Sequence, residues 1–420
     1  RAHELGVDVI VTDHHLPQEV LPPAYAIINS KQIGDTYPDN MLCGAGVAWK
    51  LVSALLARYR EVWSVPEGWE KWLLDMAGLS TIADMVPLQN ENRVLAYYGL
   101  KVLRMSRRPG LLKLLKKMAM EQQYITEDDV GFMIGPRINA ASRMGVPFDA
   151  FRMLSTTDEN LAEELATHLT DLNDTRKGMV AHMVKDARKH LEIRKTDETI
   201  RDVIVIGNPS WKPGLAGLVA SNISETYGRT VFVWGRTDDG MIKGSCRSDG
   251  TVNLVSLMTS VREGIFENVG GHEMAGGFSL TQEMVHTLED ELVLAYQKVR
   301  QEKNDEEEIV DATLTLKDVS WATWGIVEKF APFGMGNPKP VFLFEKIIVD
   351  ENRVFGKTKE HREMTFKNSP AKAISFFADD AHYTTINSGD TVDLTASLEE
   401  SRFRGKRELR LRVVTIVKRG

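Results

Sequence analysis

Asp13, His14 and His15 follow the apolar run Val7-Asp8-Val9-Ile10-Val11-Thr12. Two imidazoles and a carboxylate in consecutive positions could hold a divalent metal or meet a phosphate. Imidazole suits Mn, Zn or Fe, and a neighbouring carboxylate can take the ring's second N–H and fix its tautomer. An isolated Asp-His-His is equally consistent with a turn capped by Asp13 and two ordinary surface histidines. The residues before it predict where it sits. The β-branched run Val7–Val11, bounded by Gly6 and Pro17, predicts a short strand buried on both faces of a parallel sheet. Its carboxyl end is where open α/β sheets bind ligands.

Composition narrows the class. A chain of 420 residues should form two or three domains. A net charge of −7 argues against indiscriminate coating of nucleic acid, although basic residues cluster locally. Residues 401–420 contain Arg402, Arg404, Lys406, Arg407, Arg410, Arg412, Lys418 and Arg419 against Glu408 alone, and a second stretch holds Arg104, Arg107, Arg108, Lys113, Lys116 and Lys117. Such patches can track a phosphate backbone; each is also consistent with a solvated helix face or a charged edge strand. Cys43 and Cys246 lack metal-ligand spacing and read as small buried side chains in a reducing compartment. No apolar stretch approaches a membrane span and no signal peptide is recognisable, so a cytoplasmic protein with no membrane partner is expected.

Four regions separate. Residues 1–150 alternate short apolar runs with helical segments, including Val47–Leu56 and a Trp72–Ala83 helix stopped by Pro87, with Asp84 at its end. Residues 151–197 are dominated by a polar, Pro-free stretch from Asp158 to Ile193, which predicts one long connecting helix with His168, His182 and His190 on its surface. Residues 198–302 open with strand Val203–Ile206, helix Leu215–Tyr227 and strand Thr230–Trp234, a βαβ pattern, followed by a hairpin at Asp238-Asp239-Gly240. The acidic Glu302–Glu308 reads as a linker. Residues 310–420 carry alternating segments at Val341–Val349, Ala373–Phe377, Thr391–Leu398 and Leu409–Val413, with a turn at Ser388-Gly389-Asp390. That patterning predicts a small antiparallel OB-like barrel. Its aromatics Phe376, Phe377 and Phe403 could stack on bases; for the adjacent Phe376 and Phe377, core packing is the better reading.

Thr12-Asp13-His14-His15 resembles the motif of the DHH phosphoesterase superfamily, and Gly270-Gly271-His272-Glu273-Met274-Ala275-Gly276-Gly277 resembles the signature of its DHHA1 domain. Further segments are similar to the RecJ family of single-strand-specific exonucleases. They are Asn29 after Ile27-Ile28, Gly44-Ala45-Gly46-Val47-Ala48, Thr81-Ile82-Ala83-Asp84, Gly135 through Arg143, Lys243 through Ser248, and Pro332 through Pro338. They occur in the family's order over nearly the whole chain.

The resemblance implies an α/β fold: a parallel-sheet DHH domain remnant, a connecting helix, an α/β DHHA1 domain and an OB-like barrel. It implies 5′→3′ hydrolysis of single-stranded DNA in recombination and repair by a two-metal mechanism using Mn²⁺ or Mg²⁺. His14 and Asp84 would be metal ligands, Asp13 would orient the histidine pair, and His15 would face the scissile phosphate. Arg137, Asn139 and Arg143 would contact phosphate, with Arg137 in a functional loop, although Arg137 could instead form a structural salt bridge. Ser245, Arg247 and Ser248, in a loop, would hold the terminal 5′ phosphate, and Gly271 and His272 would approach the nucleic acid. The implied state is a monomer, which a single-stranded-DNA-binding protein or a helicase could assist. Two departures stand out. Lys212 follows Trp211 where the family has histidine, so that position receives no catalytic role. The family's Asp-x-Asp motif and a further strand-end aspartate lie upstream of the DHH motif, so a truncated chain, inactive or very weak alone, is expected. Two alternatives differ in class: a phosphoesterase for short oligonucleotides or cyclic dinucleotides, and a non-catalytic single-strand-binding protein.

Overall fold

The computed structural model describes all residues except 18–19, 198–199, 302–309, 357–358, 360, 377–384, 404–405 and 420, so the expected linker Glu302–Glu308 and Phe377 lie outside the described residues. The chain forms two compact units that do not follow chain order: Arg1–Ser106 with Gln122–Gly131 and Glu306–Gly420, and Arg107–Glu121 with Phe132–Asp305.

The first unit begins with β1 (Ile10–Thr12), which pairs in parallel with β2 (Ala26–Ile28). The parallel pairing follows the expectation, but the strand is shorter and is not buried on both faces. Val7, Val9 and Ile10 are 56%, 37% and 56% exposed, because among the described residues β2 is the one strand beside it. The helix Gly44–Tyr59 contains the expected Val47–Leu56 segment. The Trp72–Ala83 segment divides into a 3₁₀ stretch, Trp69–Leu73, and an α-helix, Leu74–Ala83. Leu42, Val47 and Leu95 form the local core with Ile28, Trp49 and Leu74.

Glycine sets how closely the helix Leu74–Ala83 meets its neighbour Asn90–Leu103. A Cβ at Gly99 would lie 2.5 Å from the Gly78 Cα and 2.7 Å from the Leu74 carbonyl oxygen, both backbone atoms. Gly99→Ala must therefore separate the helices, and overpacking of this kind costs about 1–3 kcal/mol. A lowered thermal midpoint is expected; an unchanged one would show that the crossing relaxes freely.

The second unit contains the helices Pro109–Lys117, Gly135–Met144 and Pro147–Ser155 and the long helix Glu159–Asp197. His168, His182 and His190 lie on its exposed surface. Much of the second basic stretch is a solvated helix face: Lys113 pairs with Glu159 at 3.0 Å and Lys117 with Glu163 at 2.7 Å. The long helix leads to a five-stranded sheet in the order β3 (Val203–Gly207), β4 (Thr230–Arg236), β5 (Ile242–Arg247), β7 (Ala275–Leu280), β6 (Asn268–Gly271). β3 and β4 are parallel, joined through the helix Pro213–Tyr227, which ends at left-handed Gly228. This is the expected βαβ unit. β4 and β5 form the expected hairpin around Asp238-Asp239-Gly240. Val205, Phe232 and Phe278 pack on one core with Leu254 and Leu292, while Ile204, Ile206 and Val233 pack on another with Leu215, Val219 and Leu191.

The last segment returns to the first unit with β8 (Ala312–Thr313), β9 (Phe342–Phe355), β10 (His361–Phe366), β11 (Lys372–Ser375), β12 (Thr391–Phe403) and β13 (Lys406–Lys418). Pairing runs β9–β10–β11–β13–β12 and back to β9, with β8 added at β9. The pairings are antiparallel except β11–β13 and β8–β9. Burial alternates along β10, with Met364 and Phe366 inward among Phe344, Val349, Leu394, Leu411 and Ile416. Phe376 is half-buried rather than in that core: Arg412 lies over its ring at 4.1 Å and Arg410 at 5.5 Å.

Glu127 is half-buried, accepts the Phe333 N–H at 3.2 Å, and its carboxyl is raised above the usual range by burial. Protonation therefore favours the fold below the unfolded value of about 4.3, and that benefit is lost as pH rises through the raised folded value. Glu127→Gln keeps the acceptor and removes the charge. It should match the wild type in thermal unfolding near pH 4 and exceed it near pH 8; an equal difference at both pH values would contradict this origin.

Candidate metal centre and phosphate-binding residues

The strand pair β1–β2 delivers the Asp-His-His triplet. The Asp13 N–H continues the ladder by donating to the Ile28 carbonyl at 3.0 Å, and Asn29, 4% exposed, donates from Nδ2 to the His15 carbonyl at 2.8 Å. Asp13 Oδ1 accepts the backbone N–H of His14 at 2.7 Å and lies 2.7 Å from His15 Nδ1. The hydrogen bond with the His15 ring, helped by the His14 and His15 backbone N–H groups, holds the Asp13 carboxyl below its ordinary range.

His14 is oriented by a different carboxylate. Its Nε2 lies 3.2 Å from Asp84 Oδ2, whereas its Nδ1 is 4.0 Å from Asp13. Asp84 caps the carboxyl end of the helix Leu74–Ala83, where its N–H donates to the Ser80 carbonyl at 2.8 Å. The structure thus brings His14 and Asp84 together across seventy positions of sequence, and the Asp13 carboxylate lies closer to the His15 ring than to the His14 ring. The His14 side chain is 23% exposed and that of His15 70%, so His15 is open to an incoming group. Ligand atoms of Asp13, His14 and His15 all lie within 4.8 Å of one another. With Asp84 this gives two imidazoles and two carboxylates from two segments, a donor set that suits Mn²⁺ and leaves room for further oxygen ligands.

Gly44 belongs to this centre, a part the sequence reading does not assign to it. At the start of the helix Gly44–Tyr59, its missing side chain gives His14 room: a Cβ would lie 3.1 Å from His14 Nδ1. The Gly44-Ala45-Gly46 pattern is the available signal, since a second glycine at a helix start marks a close approach.

The arginines lie in the second unit. Gly135-Pro136-Arg137 opens a helix, Gly135–Met144, so Arg137 is not in a loop as expected. Proline at the first helical positions explains the difference: it reads as a breaker but is preorganised for a helix start. Arg137 is 7% exposed and donates from Nη1 to the Met133 carbonyl at 2.8 Å, while its buried Nε has no hydrogen-bond partner. Asn139 is exposed on the same helix and its carbonyl accepts the Ser142 hydroxyl at 3.0 Å. Arg143 Nη1 donates to the Gly214 carbonyl at 3.2 Å, at the start of the helix Pro213–Tyr227.

Ser245 and Arg247 lie on β5, a central strand rather than a loop, with Ser248 just beyond it. The Gly and Ser content suggests a loop, but Gly244 is there for packing: a Cβ would sit 2.3 Å from the Phe278 ring. Arg247 donates from Nε to Ser221 Oγ at 3.1 Å and from Nη1 to the Cys246 carbonyl at 2.7 Å. At Gly217 a Cβ would fall 3.0 Å from Arg247 Nη2 and 3.5 Å from Ser245 Oγ, so these groups converge beside that helix. Ser248 is buried and its hydroxyl donates to the Val252 carbonyl at 2.6 Å. Gly271 ends β6 at φ 151°, and His272 follows in an exposed turn where its N–H donates to the Ala275 carbonyl at 2.8 Å.

Burial lowers the Arg143, Arg247 and Arg176 guanidinium values from the usual arginine range, and Arg143 repels both of the others. Arg176, absent from the sequence-based set, is held by Asn173 Oδ1 at 3.0 Å from Nη2. Mutually repelling, partly desolvated guanidiniums are the electrostatic counterpart of an anion. Both cysteines are free and buried, and burial pushes the Cys246 thiol up to about 12, in keeping with a packing role. Among the described residues, no helix is long and apolar enough to cross a membrane.

Family models match the chain in three stretches: the DHH family N-terminal domain at residues 1–80, the DHHA1 domain at 201–302 and the RecJ OB domain at 310–415. The chain is 37% identical over 373 residues to the single-stranded-DNA-specific exonuclease RecJ of Bacillus subtilis (strain 168), covering 88% of this chain and 46% of that protein. It is 32% identical over 429 residues to the single-stranded-DNA-specific exonuclease RecJ of Haemophilus influenzae, covering 98% of this chain and 73% of that protein. The crystal structure of RecJ in complex with Mn²⁺ from Thermus thermophilus superposes with a TM-score of 0.81 at 27% identity, over 99% of this chain and 59% of that one. A Mg²⁺ complex of RecJ from the same organism gives 0.79 at 26% identity, over 99% and 60%. The chain thus spans about half the length of the Bacillus relative. With the histidine–carboxylate cluster at the end of a parallel strand, a DHHA1 sheet and an OB domain in one sequence, the chain belongs to the RecJ family.

Proposed function

We propose that this sequence hydrolyses phosphodiester bonds of single-stranded DNA from the 5′ end, with Mn²⁺ or Mg²⁺ as cofactor. The observation that carries the reading is the 3.2 Å approach of His14 Nε2 to Asp84 Oδ2 beside the Asp13–His15 pair. It is supported by relatives named as single-stranded-DNA-specific exonucleases and by solved neighbours that contain Mn²⁺ or Mg²⁺.

Divalent cations, when bound, supply Lewis-acid stabilisation of charge on the phosphate and leaving oxygens. His14 and Asp84 would hold them, with Asp13 adding a carboxylate at the edge. Asp13 also fixes the His15 ring through Nδ1, which leaves Nε2 of that exposed imidazole to meet a non-bridging phosphate oxygen. Asn29 restrains the His15 backbone, so the ring is presented with little reorganisation. Arg143, Arg247 and Ser245, joined by Arg176, would bind a terminal 5′ phosphate; the exposed Asn139 would contact phosphate from the same helix as Arg143, and the buried Arg137 would shape that helix. Ser248 would brace the end of β5, and Gly271 and His272 would let the strand approach the β6–β7 hairpin. The OB domain would bind the same single strand, and Phe376 between Arg410 and Arg412 offers a stacking surface.

A length series of 5′-phosphorylated single strands tests this reading. Preference for long strands over duplex and over fragments of two to four nucleotides is expected; the reverse preference would favour a small-substrate phosphoesterase. The RecJ OB domain match argues for the long-strand outcome.

A further inference from the structure

The loop Ala331–Pro338 belongs to the barrel segment, yet it hydrogen-bonds to the stretch that follows Asp84. The Leu88 N–H donates to the Met335 carbonyl at 2.6 Å. Gln89 Nε2 donates to the Gly336 carbonyl at 3.0 Å, and Arg93 Nη2 to the Phe330 carbonyl at 2.7 Å. On its other side the Phe333 N–H donates to Glu127 and Lys339 pairs with Asp128.

The loop is braced for this task. Asn337 Nδ2 donates to the Phe330 and Pro332 carbonyls at 2.9 and 2.8 Å, and Gly334 and Asn337 exchange backbone hydrogen bonds at 2.9 and 3.1 Å. Its glycines permit the close seat. A Cβ at Gly334 would lie 2.9 Å from Leu88 Cδ1, and Gly336 has φ 70° with the Gln89 side chain 3.2 Å from where a Cβ would be. Leu88 and Phe333 are 2% and 6% exposed, so the contact is packed as well as hydrogen-bonded. Leu88 stands four positions after Asp84, and Met85 between them takes a left-handed φ of 57°, so little slack separates the latched residue from the carboxylate.

We propose that this loop is a latch that makes the barrel and the Asp84-bearing turn one mechanical body. Resting on the single-strand reading above, its function is to hold a strand gripped by the barrel in fixed register with His14 and Asp84. A rigid link between two binding surfaces raises the effective concentration of the second once the first is occupied, so long strands benefit and short ones do not.

The test uses the full chain and a Gln89→Ala/Arg93→Ala/Lys339→Ala variant, which removes three latch contacts without touching the backbone or the metal centre, with Gly336→Val as a harsher form. Calorimetry should show barrel and metal-bearing part unfolding in one transition in the wild type and in separate transitions in the variants. Binding of fluorescent oligothymidylates should weaken about 10-fold for a strand of about twenty nucleotides and stay unchanged for one of about four. Separated transitions with unchanged long-strand affinity would overturn the register function. Equal loss for both lengths would overturn it too, by placing the altered residues in a binding surface. If the wild type binds no single strand, the functional reading fails, and calorimetry still decides whether the latch couples the two parts.

Discussion

Replacing His14 with alanine is expected to weaken Mn²⁺ binding by at least about 100-fold, beyond the 10- to 100-fold that loss of an outer partner typically costs. His14 is the imidazole that meets a carboxylate from a different segment, so its removal breaks the link between β1 and the helix Leu74–Ala83 as well as deleting a donor. Asp84→Asn should have an effect of the same order, because the amide keeps the shape and loses the charge. Asp13→Asn should cost less at the metal and more in the orientation of His15, whose ring it holds at 2.7 Å. Titration followed by Mn²⁺ electron paramagnetic resonance, with thermal unfolding to show that the fold persists, distinguishes these outcomes. Equal Mn²⁺ affinity in His14→Ala and wild type would remove this cluster from consideration as the metal centre.

Loss of the Arg247 guanidinium is expected to abolish the preference for a 5′-phosphate over a 5′-hydroxyl end. Charge-assisted hydrogen bonds are worth about 1.5–3 kcal/mol, or roughly 10- to 150-fold in affinity. Arg247 is held by Ser221 and the Cys246 carbonyl, so it is preorganised rather than recruited, and neither Arg143, which repels it, nor Arg176, beside Arg143, has an offsetting carboxylate partner among the ion pairs of the described residues. Arg247→Lys should recover only part of the discrimination, because an ammonium cannot reproduce the planar fork. The comparison requires paired single strands differing only at the 5′ end. A preference that survives Arg247→Ala would place the terminal phosphate elsewhere.

Much of this centre is legible in the sequence, and the exceptions have physical causes. The Asp-His-His triplet announces itself because three chemistry-bearing residues are adjacent, and Asp84 is visible because it ends a helix just before Pro87. The contact between them is not, since a distance across seventy positions depends on how the helix Leu74–Ala83 packs through Gly78 on Asn90–Leu103. The strand Val7–Val11 reads as buried because an apolar β-branched run reports what a sheet can bury, not how many strands lie beside it. Gly135-Pro136 and Gly244-Ser245 read as loops, yet one opens a helix and the other lies in a central strand where Phe278 and Val233 leave no space for a side chain. Arg176 has no local signal at all: it stands on a long polar helix among many charged residues, and only the fold places it near Arg143.

The most direct test of the central claim is degradation of a 5′-phosphorylated, 3′-labelled single strand by the protein in Mn²⁺, with and without His14→Ala. The expected result is progressive, Mn²⁺-dependent shortening from the 5′ end that the His14→Ala variant loses. Shortening that persists in His14→Ala, or that proceeds from the 3′ end, would contradict the assignment of chemistry and polarity to these residues.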